Sequence, residues 1–253
     1  MNAIILAAGL GSRLLPMTRK IPKPLINIGG QSIIERQIAF LKELHIHNIY
    51  IVVGYAAHLF SSLEKKYGVH LIYNPYHKAY NNFYSLFLAR EFFGDSYVIE
   101  GDVFMNRNFL QSTLPRSTYF TGIMYEDYGK EWILDFDGDK LKSIILPDDQ
   151  KLPEYDGAFK NGAYVMTGIS YWNKTDAGFI LEKLKEIVRR ISDTDDSKFT
   201  GLFWDDIVRT TLGNFDIAIC KIRDDDWIEV DSPADLERLS SVITIAENAK
   251  TPT

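Results

Sequence analysis

The sequence predicts an α/β domain: a doubly wound, mostly parallel sheet that carries an antiparallel-strand insertion. Three observations support this. Over about the first hundred residues, short apolar runs alternate with segments of helical period, the signature of βαβ units. The apolar runs end in Gly, Asn or Asp, so each strand reads as stopping at a turn. From about position 118 the texture changes to longer alternating runs joined by polar turns such as DGD.

The elements follow in order. NAIILAAG is the first strand, with Gly9 and Gly11 letting the backbone bend after it. QSIIERQIAFLKEL sets Ile34, Ile38, Leu41 and Leu44 on one helical face. IYIVVG is a strand, HLFSSLEKKY a short helix, VHLIYN a strand, FYSLFLAREFF a helix and SYVIEGD a strand. That βαβαβ order requires right-handed crossovers and a parallel sheet. STYFTGIMY, EWILDF, KLKSIIL and AYVMTGISYWN then read as antiparallel strands. Helices are expected over about 175–192 and 202–212, followed by further strands. A last helix opens at SPADL, with Ser232 as N-cap, Pro233 in the first turn and Asp235 as capping-box partner.

Composition narrows the function. A chain of 253 residues with 46% apolar and 25% charged residues is of ordinary globular make-up. No run approaches the roughly eighteen apolar residues of a membrane span, and AIILAAGL lacks the basic lead of a signal peptide. The single cysteine, Cys220, sits in the alternating FDIAICKI and reads as packing, so a reducing cytoplasm is expected. A formal charge of −6 argues against nucleic acid as a partner. His45, His47, His58, His70 and His77 show no zinc-ligand spacing. The acids at 224–226 read as a solvated turn.

Against this acidic background, no Asp or Glu precedes Glu35, while Arg13, Arg19, Lys20 and Lys23 crowd into eleven residues. Glycines followed by cations suit an anion such as a polyphosphate, held by backbone N–H groups and side chains together. The stretch is neither a dinucleotide fingerprint, since Leu14 stands where a third glycine is needed, nor a Walker loop. Asp102 and Asp231 both end strands at the sheet edge where ligands of such folds bind. Two carboxylates beside a phosphate loop suit Mg²⁺.

LAAGLGSR…KPL, the strand-end Asp102 and VDSPADL resemble the nucleoside-triphosphate-dependent nucleotidyltransferases. YNPYHKAYNNFYSLFLA, YVIEGDVFMNRN, RSTYF, EW and GLFWDD resemble, more narrowly, the bacterial CTP:phosphocholine cytidylyltransferases. The resemblance runs to about residue 240 and implies a Rossmann-like fold of the nucleotide-diphospho-sugar transferase type. It implies one domain over 1–240: a nucleotide-binding half at 1–115, an acceptor-binding insertion at 116–215 and returning strands and helix at 216–240. Residues 241–253 read as a tail or linker; a homodimer, and a further domain beyond that tail, stay open.

The implied reaction is Mg²⁺-dependent transfer of CMP from CTP to an amino-alcohol phosphate, foremost phosphocholine. Lys23, Arg13, Asp102 and Asp231 would be catalytic, the two aspartates holding Mg²⁺. Leu6, Ala8, Gly9, Gly11, Asn81, Asn82 and Ser85 would bind the nucleotide. Trp132, Trp204, Tyr171, Asp205 and Asp206 would bind the acceptor, aromatic faces suiting a quaternary ammonium and carboxylates a primary one. Aminoethylphosphonate, phosphoethanolamine and sugar 1-phosphates are the competing acceptors. A non-catalytic nucleotide-binding module is the competing class.

Overall fold

The computed structural model describes residues 1–126, 128–149, 159–194 and 199–239; the expected tail at 241–253 lies outside the described residues. In chain order the first strands are β1 (Asn2–Ala7), β2 (Asn27–Ile28), β3 (Gln31–Ser32), β4 (Ile49–Val53), β5 (His70–Tyr73), β6 (Ser96–Glu100) and β7 (Val103–Met105). They continue as β8 (Thr118–Met124), β9 (Ile133–Asp137), β10 (Lys140–Ile145), β11 (Ala163–Trp172), β12 (Ala218–Lys221) and β13 (Trp227–Glu229). The helices are α1 (Ile33–Glu43), α2 (Ser61–Tyr67), α3 (Asn82–Leu88), α4 (Lys174–Thr194) and α5 (Asp205–Thr210), with a last one over 233–239. No helix among the described residues is long and apolar enough to cross a membrane.

One nine-stranded sheet runs through both halves of the chain, in the order β5-β4-β1-β6-β11-β8-β12-β10-β9. The β5-β4-β1-β6 portion is parallel. β11 then pairs antiparallel with both β6 and β8, which joins the insertion to the parallel portion edge to edge. The returning strand β12 enters the middle of the sheet, parallel to β8 and antiparallel to β10. Sequence alone gives no such position, because it depends on pairing across about a hundred residues.

β1 shows why the sheet is covered on both faces. Ala3, Ile5 and Ala7 pack with Ile34, Ile38 and Leu41 of α1 and Leu63 of α2. The alternate residues Ile4 and Leu6 pack with Leu86 of α3, Leu184 of α4 and Val208 of α5. A central parallel strand buried on both faces needs this near-continuous apolar run. α1 begins in a capping box, Ser32 N–H donating to Glu35 at 3.1 Å and Glu35 N–H to Ser32 Oγ at 3.4 Å.

Two local expectations are corrected. The α-helix expected through FYSLFLAREFF stops at Leu88 and gives way to a 3₁₀ turn over Arg90–Phe92, whose Phe92 N–H bonds the Ala89 carbonyl at 2.9 Å; the Phe92 carbonyl then accepts from Asn2 Nδ2 at 2.8 Å and Ser96 Oγ at 2.9 Å. The acids at 224–226 are not all solvated. Asp226 is 1% exposed and receives Arg107 Nη2 at 2.8 Å and the Arg223 N–H at 2.9 Å, tying the start of β13 to the end of β7.

Candidate active site

After β1 the chain makes three short 3₁₀ turns, at Ser12–Leu14, Met17–Arg19 and Lys23–Leu25, rather than a helix. Gly11 has φ +65°, and a Cβ there would come within 2.8 Å of Lys23 Cγ. Glycine at this position therefore satisfies the left-handed backbone and lets the lysine stem lie against the loop. Thr18 Oγ1 donates to the Gly11 carbonyl at 2.8 Å and fixes the turn. Lys23 itself is only 7% exposed.

The Lys23 ammonium points at acids gathered from two distant segments. β6 ends at Glu100, the chain turns through Asp102 into β7, and β7 pairs antiparallel with β13. Their register sets Glu229 opposite Val103, and the Val230 N–H donates to the Asp102 carbonyl at 3.1 Å. Asp102, Glu229 and Asp231 consequently share one rim, each offering an oxygen within 4.8 Å of the others. Lys23 Nζ lies 3.2 Å from Asp102 Oδ2 and also donates to Asp231 Oδ1, whose other oxygen receives Arg13. The expected capping box holds this rim in place: Asp235 Oδ2 accepts from the Asp231 N–H at 3.0 Å and the Ser232 N–H at 2.6 Å.

The charges are unevenly matched. Burial favours the neutral amine of Lys23, but Asp102 and Asp231 outweigh it and raise its pKa, so it stays charged at neutrality. Glu229 is pushed well above the carboxylate range by burial first and then by Asp102, Asp231 and Glu131. Glu131 is raised by burial and Asp231, with Arg13 opposing. Acids thus exceed cations at the rim, and their hard oxygens suit a small divalent cation that also keeps water and phosphate ligands. Glu229 adds a third acid to the two expected from sequence. Its signal was the period of two in WIEVD, which puts Glu229 and Asp231 on one face of an extended chain.

Other expected residues are distributed differently. Leu6 and Ala8 bury their side chains, and their carbonyls accept from Gly101 N–H at 2.9 Å and Tyr55 N–H at 3.1 Å. Gly9 is exposed, with open space where a Cβ would stand. Asn81 caps α3 by accepting from the Asn82 N–H at 2.8 Å. Asn82 donates to Glu100 at 2.7 Å and accepts from the Trp204 N–H at 3.1 Å, so it ties the first half to the insertion. Ser85 is a correction: it is 3% exposed and accepts from Asn74 Nδ2 at 3.0 Å, inside the protein rather than toward a ligand. A cavity of about 360 Å³ opens at the carboxyl ends of β4 and β5, lined in part by Tyr55, His58, Tyr73, His77 and Lys78.

The acceptor residues also separate. Half-buried Trp132 packs edge-to-face with exposed Phe203 at 5.5 Å, a partner the sequence did not single out. Trp204 is 3% exposed and stands edge-on to fully buried Trp172 at 5.5 Å, so it belongs to the core rather than to an open face. Asp206 is half-buried and accepts from the Phe203 N–H at 3.0 Å. Tyr171 is a second correction: its hydroxyl donates to Asp95 at 2.9 Å, beside the chain's own amino group, at the opposite end of β1 from the acids.

Asp205 is turned inward, where it accepts from Tyr119 at 2.8 Å; burial first, with Asp206 adding, pushes its pKa up to about 7. The folded state therefore binds a proton that the unfolded chain releases near pH 4, and stability from this group falls as pH rises from about 4 to about 7. Asp205→Asn should flatten that part of the profile, read by urea unfolding at stepped pH. An unchanged slope would assign the dependence elsewhere.

The sequence model of the Nucleotidyl transferase family matches residues 2–116. Choline-phosphate cytidylyltransferases of Streptococcus pneumoniae and Haemophilus influenzae are each 36% identical to the chain, over 96% of it and 98% of theirs. A 2-aminoethylphosphonate cytidylyltransferase of Lancefieldella rimae is 33% identical, over 93% of this chain and 90% of its own. Among solved structures, the CTP:phosphocholine cytidylyltransferase of Streptococcus pneumoniae superposes with TM-score 0.83 at 34% identity, covering 96% of this chain and 98% of that one. With likeness extending from the glycine loop through the returning strands, this chain belongs to the nucleotidyltransferase family, within the group similar to the choline-phosphate cytidylyltransferases.

Proposed function

We propose that the enzyme transfers CMP from CTP to phosphocholine, giving CDP-choline and pyrophosphate, with Mg²⁺ as its metal. The observation that supports transfer is the meeting of Lys23 and Arg13 with Asp102 and Asp231 at the end of the glycine loop. An acceptor phosphate oxygen would attack the α-phosphorus in line, with no covalent enzyme intermediate, so the residues act by positioning and charge. Gly9 and Gly11 bring backbone N–H groups to the triphosphate, and Arg13, on the exposed side, adds a mobile cation. Lys23 is buried and charged, and would neutralise the α-phosphate as negative charge accumulates there. Asp102, Glu229 and Asp231 would hold the divalent cation, which supplies charge to both phosphates when bound.

For phosphocholine over a primary amine, the supporting observation is the Trp132–Phe203 pair. A quaternary ammonium donates no hydrogen bond and gains about 0.5–2 kcal/mol on an aromatic face. Asp205, whose carboxyl faces Tyr119, is not free to serve a primary ammonium. The second reading, aminoethylphosphonate, would rely on half-buried Asp206.

The test is turnover of CTP, UTP and dTTP against phosphocholine, phosphoethanolamine, aminoethylphosphonate and glucose 1-phosphate. Trp132→Ala and Phe203→Ala should each raise the phosphocholine KM, by up to about thirtyfold, while sparing the KM for CTP. A wild-type preference for the primary amine, with Asp206→Asn costing more than either aromatic change, would replace phosphocholine by the second reading.

A further inference from the structure

We propose that Lys23 and Arg13 are place-holding cations on the metal-free acid rim, so that a divalent cation loads well only together with the nucleoside triphosphate. This rests on reading Asp102, Glu229 and Asp231 as the metal seat. Both oxygens of Asp231 already carry a cation: Lys23 meets Oδ1 and Arg13 meets Oδ2. Lys23 also sits 3.2 Å from Asp102, so a single ammonium spans two of the three acids. A metal ion arriving alone must displace these partners or bear their repulsion.

The two cations differ in how easily they leave. The Arg13 side chain is 72% exposed and can swing into water, whereas that of Lys23 is 8% exposed. Removing the Lys23 ammonium from the acids without a new anion would leave a buried charge unpaired. Its stem lies against Gly11, in the same loop whose glycines would face the triphosphate under the function proposed above. A phosphate oxygen there offers Lys23 a replacement partner after a short rotation of the side chain. Nucleotide would thus draw the cations off the carboxylates and free the oxygens that a metal needs. Such coupling is reciprocal, so metal must tighten nucleotide by the same factor.

The experiment titrates the metal-free protein with Mn²⁺, following free Mn²⁺ by its paramagnetic resonance signal. Lys23→Met keeps the stem and removes the charge; it should tighten Mn²⁺ in the absence of nucleotide by roughly tenfold. Arg13→Gln, at an exposed side chain that does not put folding at risk, should tighten it by a smaller factor, and Asp102→Asn should weaken it. With CTP, after correction for Mn²⁺–CTP formed in solution, wild type should bind Mn²⁺ more tightly, and Lys23→Met should lose most of that gain. Circular dichroism and thermal melting establish that each variant is folded. If Lys23→Met and Arg13→Gln leave affinity unchanged or weaker while Asp102→Asn still lowers it, the place-holding role is overturned and the metal seat stands. If no protein binds Mn²⁺ even with CTP, the metal seat is overturned and the place-holding role with it.

Discussion

Asp102→Asn and Asp231→Asn are each expected to abolish turnover, a loss of about 10³-fold or more in kcat, while leaving the fold intact. The fold survives because backbone, not side chains, sets the rim. β7 and β13 pair through Trp227–Met105, Ile228–Phe104 and Glu229–Val103, and Val230 N–H holds the Asp102 carbonyl. Neither carboxylate is buried in the apolar core, their side chains being 25% and 21% exposed. What the substitutions remove is charge. Of the two, Asp231→Asn should be the more damaging, because Asp231 alone meets both Lys23 and Arg13 and lies beside Glu131. Glu229→Gln should also be deleterious, through the third oxygen of the seat. Initial rates at saturating CTP across a Mg²⁺ titration, with circular dichroism on each variant, decide this. A variant with near wild-type kcat at low millimolar Mg²⁺ would strike its residue from the machinery.

Much of this is legible in the sequence itself. The alternation of apolar runs with helical periods marks β1, α1, β4, β5 and β6 because each is locally determined. The SPADL capping box appears as read, since its bonds join neighbours in sequence. Arg13, Lys23, Asp102 and Asp231 were legible because a cationic, glycine-bearing, acid-free stretch in an acidic chain has few uses. What escaped depends on pairing over long separations. Nothing local tells that β12 enters the sheet beside β8, or that β13 lays Glu229 against Asp102. Nor does residue type fix which end or face a side chain occupies. Tyr171 is aromatic, but it lies at the wrong end of its strand; Ser85 is a hydroxyl, but it faces Asn74. Trp204 and Phe203 are neighbours, and only packing against Trp172 decides that the phenylalanine is the one left open.

Lys23→Ala is expected to lower kcat by about 10²–10³-fold, the scale for removing one preorganised charge donor. The lysine is suited to this because its surroundings do not need to reorganise during the reaction. Its stem is fixed under Gly11, water reaches little of it, and Asp102 and Asp231 keep it charged until the triphosphate takes their place. A charge held this way acts on the α-phosphate most strongly where negative charge grows, in the transition state, so the loss should fall on kcat rather than on the KM for CTP. Arg13 is the contrasting case. Its side chain is largely exposed, and what it gives the triphosphate it gives in the ground state as well. Arg13→Ala should therefore raise the KM for CTP with a smaller change in kcat. Lys23→Arg should rescue little, because the longer, planar guanidinium does not reproduce the compact, buried charge that the ammonium places between Asp102 and Asp231. Steady-state kinetics on the three variants separate these effects. Equal, small rises in KM for Lys23→Ala and Arg13→Ala, with kcat intact, would reduce the basic stretch to a solvated face and leave the rim's chemistry to its acids alone.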